Sequence, residues 1–263
     1  SDPRTRAFPY PVNERSKHVA QDMMRAMAVD QFGGPENLTL HELPVPKPGP
    51  NEVLIRLQYA GVGEWDPYER EGGFAEFLPG PAQFPYVLGS EGAGRVQACG
   101  SNVERVGLGD RVYALSFPNP RGGFYAEYVV VDQGLVAKVP SEQGMLEASV
   151  MGGVGITALR GLEDILDISP EDTLAVVGAS GGIGHIAIQI GKRKGARVFA
   201  VASGGDGVAL ARRLGADGVV DGHRDDVLEA ARAFAPDGFG KALLTTGGDV
   251  VEQVLAAMRE GGH

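Results

Sequence analysis

The stretch best suited to chemistry runs from Leu174 to Ser203. Leu174 to Val177 is an apolar run without polar alternation, as suits a strand buried on both faces of a parallel sheet. Glycines follow, and Ile183, Ile186, Ala187 and Ile190 then recur at helical spacing. Strand, glycine turn and helix in that order make a dinucleotide cradle. The glycines admit close approach of a pyrophosphate, and the first helical amides supply unpaired N–H donors at the positive end of the helix dipole. Gly178, Gly181, Gly182 and Gly184 are the expected cradle, with Ser180 and Ile183 contributing from within the turn. A purely steric glycine turn is the competing reading. A second apolar strand, Val198 to Ala202, completes a βαβ unit and favours the cofactor.

The end of that second strand bears on which nucleotide binds. NAD sites usually carry an Asp or Glu there to hold the ribose 2′-OH, whereas this chain has Ala202, Ser203, Gly204 and Gly205. The expectation is NADPH (NADP), its 2′-phosphate on Ser203 and the glycine amides and its charge met by Lys192. Asp206 lies just beyond, and Ser203 also suits an N-cap for the next helix.

These groups need elements to hold them. A chain of 263 residues, 43% hydrophobic, can build a substantial core and more naturally two domains than one. Residues 1–24 read as an N-terminal extension: polar, proline-punctuated, with neither the apolar core of a signal peptide nor the acid-poor character of a transit peptide. From Arg25 to Val139 the chain is β-rich, with strands expected at Ala26 to Val29, Leu38 to Leu43, Val53 to Val62, Gly92 to Ala98, Arg111 to Leu115, Phe124 to Val131 and Val136 to Val139. From Glu142 helices and strands alternate, and a helix near Leu146 carries the chain into the nucleotide domain. The domains are thus expected at 25–147 and 148–263. Further helices are expected at Gly207 to Leu214, Asp225 to Phe234 and Val250 to Arg259, and strands at Gly218 to Val220 and Lys241 to Thr245.

The net charge of −10 disfavours nucleic acid and points to a small soluble ligand. No segment approaches a membrane span, and the lone Cys99 suits a reducing cytoplasm better than a disulfide or a thiolate-rich zinc site. The scattered histidines form no Ser/His/Asp or His-x-x-x-His arrangement, which disfavours a hydrolase.

Several segments in one order carry a family resemblance. Met-Arg-Ala-Met-Ala-Val, Phe-Gly-Gly-Pro-Glu-Asn-Leu and Pro-Gly-Pro-Asn-Glu-Val-Leu-Ile-Arg are followed by Gly89-Ser-Glu-Gly-Ala-Gly-Arg-Val and Gly109-Asp-Arg-Val-Tyr. With Ala179-Ser-Gly-Gly-Ile-Gly, Gln189 and Lys192, the chain from Arg25 to His263 resembles the medium-chain dehydrogenase/reductase superfamily, and within it the zinc-independent quinone oxidoreductase (zeta-crystallin-like) branch. The resemblance implies an α/β protein: a GroES-like β-barrel domain, then a Rossmann-type doubly wound parallel sheet. Gly261-Gly262 is a helix-end signal that normally leads into another parallel strand. The Rossmann domain is therefore expected to be incomplete at His263, its C-terminal part missing, with a homodimer where that part is present.

Zinc-dependent relatives carry a cysteine and a histidine where this chain has Gly63 and Ser90, and neither of these ligates zinc in the ordinary way. No metal is expected. Asp66, Tyr68, Arg70 and Gly72 resemble the Asp-x-Tyr-x-Arg-x-Gly pattern of zinc-free quinone reductases, in which the tyrosine lies beside the nicotinamide. Tyr68 is the expected catalytic residue, since a phenol can donate to an acceptor oxygen as negative charge grows there; a packing tyrosine with a wet hydroxyl is the alternative. Relatives often carry Asn at Gly63, and Glu64 and Trp65 are the expected replacements beside it in the substrate pocket, with Phe74 to Tyr86 shaping its rim. Gly247 is expected to approach the cofactor's ribose. The implied function is zinc-free, NADPH-dependent hydride transfer to a quinone or an α,β-unsaturated carbonyl. An enoyl reductase of fatty-acid or polyketide type and a non-catalytic NADPH-binding protein are the alternatives.

Overall fold

The computed structural model describes residues 23–263. The expected extension therefore lies outside the described residues, except for Met23 and Met24. These two open the first strand, and Met24 is buried in the core.

The N-terminal half is built from antiparallel strands. β1 (Met23–Val29), β2 (Leu38–Pro44) and β4 (Tyr86–Val87) form a three-stranded sheet in the order β2-β1-β4. β3 (Glu52–Ala60), β5 (Glu91–Cys99), β6 (Arg111–Leu115), β7 (Tyr128–Asp132) and β8 (Val136–Lys138) form a five-stranded sheet in the order β7-β3-β5-β6-β8. Val53, Ile55, Val96, Val112, Val129 and Val131 close around Phe124, the alternation of each strand sending these side chains inward. The strand expected from Phe124 begins regular pairing only at Tyr128. Residues 124–127 pass between the sheets, Tyr125 O and Glu127 N bonding β1 while Glu127 O accepts from Leu57 of β3. Cys99 is half-buried and packs against this core, as a small hydrophobe does.

Between β3 and β4 the short helix α1 (Asp66–Arg70) and a 3-10 turn at Ala75–Phe77 carry the expected active-site segment. Helices α2 (Met145–Ala148) and α3 (Gly152–Arg160) lead into the second half. There β9 (Thr173–Val177), α4 (Gly182–Arg193), β10 (Arg197–Ala202), α5 (Gly204–Arg213), β11 (Gly218–Asp221), α6 (Val227–Phe234), β12 (Lys241–Leu244) and α7 (Asp249–Leu255) alternate. The sheet is parallel throughout, in the order β11-β10-β9-β12. Leu174 and Val176 face a core shared with α3, α4 and α5, while Ala175 and Val177 face a core shared with α6 and α7. This is the doubly wound arrangement that an apolar run without alternation predicts. Beside β12, Ala242 N–H donates to His263 O and His263 N–H donates to Gly240 O, both at 2.9 Å, so the backbone after Gly261-Gly262 runs along the sheet edge. No helix among the described residues is long and apolar enough to cross a membrane.

Candidate active site

The glycine turn lies at the C-terminal edge of the parallel sheet, where such folds bind their ligands. Gly178 has φ +79, a conformation that costs an L side chain but not glycine. A β-carbon there would also strike Thr245 Oγ1 and approach Thr246 Cγ2 to 2.6 Å. These two threonines at the end of β12 were not foreseen, because only the parallel β9–β12 pairing brings them to Gly178. Gly184 has no space for a side chain against Gly178 O and Ala179 Cα, and Gly182 has none against Val154. Helix α4 opens at Gly182, and its N-cap, Gly181, offers no side-chain hydrogen bond, so the first amides are left for an external acceptor. Ser180 packs against Gly207 of α5, and its Oγ lies 3.5 Å from Ser203 N. The structure thus brings Gly178, Ser180, Gly181, Gly182, Ile183, Gly184 and Ser203 to one edge. Gly247 is exposed after β12, with open space around it.

Ser203 occupies the N-cap position of α5, but its side chain makes no capping bond. Lys192 is elsewhere, and the role expected of it is corrected. It lies near the C-terminal end of α4, where Nζ holds both Asp217 oxygens at 2.8 and 2.7 Å and reaches Ala196 O. Asp217 also accepts from Val198 N–H near the start of β10, so this pair closes the opposite edge of the sheet. The turn after β11, which neighbours β10, carries Arg224. Asp221 accepts from His223 N–H and Gly204 N–H, and these amides hold its carboxyl below the usual carboxylate range; the Gly204 amide, expected to meet a 2′-phosphate, is thus engaged by Asp221 instead. Arg224 stands 3.8 Å from Asp221 with its side chain largely in solvent.

The barrel side of the site is built around α1. Asp66 is buried, and its Oδ2 accepts from Gly63 N–H at 2.7 Å and Tyr125 O–H at 2.6 Å. Its Oδ1 has no hydrogen-bond partner. Glu69, also buried, accepts from Tyr86 O–H and Gly89 N–H. Burial pushes the Glu69 carboxyl up, and burial beside these carboxylates pushes the Tyr86 and Tyr125 phenols up too. Both tyrosines therefore stay protonated donors. Arg70 Nε donates to Gly33 O, fixing the helix to the turn after β1. Asp66, Glu69 and Arg70 are anchors for the segment. Tyr68, by contrast, is 55% exposed; its ring stands edge-on to Phe74 at 4.7 Å and against Gly73, and its hydroxyl has no partner among the described residues. Phe74 in turn meets Phe117 at 4.5 Å, so the Phe-rich segment buttresses Tyr68.

Trp65 fills the space between Gly63 and Ser90. Its ring lies where a side chain on Gly63 would project, and its Nε1 donates to Ser90 Oγ at 2.8 Å. Among the described residues no group of three His, Cys, Asp or Glu side chains is arranged to hold a metal ion. Glu64 is exposed at the rim. Glu91, next to Ser90 and buried, reaches across to α3, where its Oε2 accepts from Gly153 N–H at 2.7 Å. Burial raises its carboxyl pKa, the Gly153 amide opposes that, and Asp66 adds to it. Glu91 and α3 were both missed from sequence. Three glycines in four residues weaken a helix signal, and the carboxylate that caps this one is 62 residues earlier.

Comparison with known proteins agrees with this architecture. Residues 49–141 match the family described as alcohol dehydrogenase GroES-like domain, and residues 182–263 the family described as zinc-binding dehydrogenase. A quinone oxidoreductase of Lama guanicoe is 33% identical, the alignment covering 90% of this chain and 68% of that protein. The solved structure of an NAD-dependent alcohol dehydrogenase is 34% identical with a TM-score of 0.82, covering 91% of this chain and 76% of the other. A mycobacterial protein complexed with NADPH is 30% identical with a TM-score of 0.78, covering 90% and 70%.

Proposed function

The chain belongs to the medium-chain dehydrogenase/reductase superfamily, and from that premise we propose that it is a zinc-free NADPH-dependent reductase of quinones or α,β-unsaturated carbonyls. The observation that carries the zinc-free reading is the Trp65 indole, bonded to Ser90 and seated beside Gly63. An aromatic ring stands at the positions where zinc-dependent relatives have ligands, and neither a serine nor a glycine replaces them.

The cradle and the α4 amides would hold the pyrophosphate, and Ser203 with Arg224 the 2′-phosphate. The reduced nicotinamide, when bound, supplies a hydride. Trp65 offers a flat apolar wall to a ring acceptor. The Tyr68 hydroxyl donates to the acceptor oxygen as charge grows on it, and solvent delivers the proton that completes the two-electron reduction. NADPH is favoured by Ser203 in place of a carboxylate and by Arg224 at the same edge, in keeping with the NADPH-bound neighbour. The charge of −10 favours a small soluble acceptor, and with the single cysteine it suits a cytoplasmic setting.

The direct test follows NADPH oxidation at about 340 nm, where reduced nicotinamide absorbs, with a quinone, an enone and an enoyl thioester side by side, each with and without chelator. Turnover of the first two, indifferent to chelator, is expected. Loss of activity in chelator overturns the zinc-free reading, and preference for the thioester moves the acceptor class to enoyl reduction. Arg224→Ala is expected to raise KM for NADPH roughly tenfold, the worth of one charge-assisted contact, while leaving KM for NADH unchanged. Lys192→Ala is expected to leave both constants alone, because its charge is spent on Asp217 at the other edge.

A further inference from the structure

The first turn of α3 touches three separate parts of the site in consecutive residues. Gly153 gives its amide to Glu91 of β5, Oε2 being 2.7 Å from Gly153 N and 3.0 Å from where a β-carbon on Gly152 would stand. Gly153 also lies under the Trp65 ring, where a β-carbon would come within 3.2 Å of Cη2. Val154 abuts Gly182, the first residue of α4, its Cγ1 2.9 Å from where a β-carbon would stand. The N-cap of α3, Met151, offers no side-chain bond, so Glu91 is the carboxylate that caps this helix. Space for Glu91 is made by Gly61, whose β-carbon would lie 2.7 Å from Glu91 Cγ and whose N–H donates to Glu91 O. A barrel carboxylate, the substrate wall and the phosphate cradle are therefore in serial van der Waals or hydrogen-bond contact through one helical turn.

We propose that Glu91 is a positioning residue: by capping α3 across the domain boundary it fixes Trp65 relative to the glycine cradle, and it couples occupancy of the cradle to the substrate wall. The nucleotide half of this statement and the substrate role of Trp65 rest on the function proposed above; the hold of Glu91 on the Trp65 ring through Gly153 does not. Residues packed this closely transmit displacement instead of absorbing it, because interiors have little free volume. Glu91 touches neither the cradle nor a substrate position, so its effect runs through Gly153 and Val154.

The chain's single tryptophan is Trp65, so its fluorescence reports this joint without interference. In the free protein, Glu91→Gln keeps the side-chain shape but removes the charge that faces the Gly153 amide at the start of α3. Acrylamide quenching of Trp65 is expected to at least double; unchanged quenching in a folded variant overturns the proposal whatever the protein binds. If Glu91→Gln does not fold, Gly153→Ala enters the same joint with one methyl against the ring, and an unshifted Trp65 emission there has the same meaning. The coupling is read with 2′-phospho-ADP-ribose, which has the pyrophosphate but no nicotinamide to meet the indole. It is expected to shift Trp65 emission in the wild type. In Glu91→Gln the shift should be lost while calorimetric affinity stays within about threefold and kcat falls roughly tenfold, as misplacement without lost contact predicts. A retained shift overturns the coupling. Absence of calorimetric binding in the wild type instead counts against the nucleotide reading and limits Glu91 to holding the wall, which the quenching result decides by itself.

Discussion

Replacing Gly184 with alanine is expected to weaken NADPH binding by about 100-fold or more, roughly the loss of two charge-assisted amide contacts, with the protein still folded. A β-carbon at this position would collide with the Gly178 carbonyl oxygen and lie 2.7 Å from Ala179 Cα. Both obstacles are backbone, so neither rotates away as a side chain would. Either α4 lifts from the turn or the turn shifts, and both move the amides of Gly182 and Ile183 off the pyrophosphate they are proposed to hold. The overpacking itself costs about 1–3 kcal/mol, visible as a lower Tm in thermal denaturation. Gly107→Ala is the matched control: it is exposed between β5 and β6, away from the cradle, with nothing within 4 Å of its would-be β-carbon, and its affinity should equal the wild type's. Calorimetric titration of both variants with NADPH decides the matter. Unaltered affinity in Gly184→Ala would remove the phosphate from this turn.

The contrast between Gly184 and Lys192 shows what kind of information the sequence holds. Close approach of backbone to backbone has almost no solution except glycine, so the cradle could be read from residue type and order before any contact was known. Lys192 carries the right charge at a plausible spacing, yet α4 is twelve residues long and its two ends serve opposite edges of the sheet. Spacing along the chain does not say which edge a flexible cation will find, and Asp217 claims this one. Arg224 was invisible for the complementary reason: its relevance depends on β11 lying beside β10, which is a fact of strand order. Glu91 and Thr245 were missed likewise, each depending on a partner more than sixty residues away. Trp65, Tyr68 and Ser90 were singled out by resemblance, but the indole–serine bond that ties two of them together required the fold. Local backbone demands were therefore legible, and long-range polar pairings were not.

Tyr68→Phe separates catalysis from packing because the structure leaves its two halves with different tasks. The ring is held against Phe74 and Gly73, and phenylalanine keeps every one of those contacts. The hydroxyl bonds nothing among the described residues, in contrast to Tyr86 and Tyr125, whose hydroxyls are bound to buried carboxylates. Losing the oxygen of Tyr68 should change stability by less than about 0.5 kcal/mol, the range for a surface change away from special features. If the hydroxyl donates to the acceptor oxygen during hydride delivery, kcat should fall about 100-fold, as for one oxyanion donor, with KM for NADPH unaltered. Unchanged kcat would assign Tyr68 to packing alone. The same substitution at Tyr125 gives the opposite pattern. It removes one of the two hydrogen bonds to Asp66 Oδ2 and leaves Gly63 N–H alone on a buried carboxyl group whose Oδ1 has no partner, and at about 1–3 kcal/mol for such a bond the loss appears in the melting curve. Measuring kcat and Tm for both phenylalanine variants tells a donor reserved for substrate from one engaged in holding the fold.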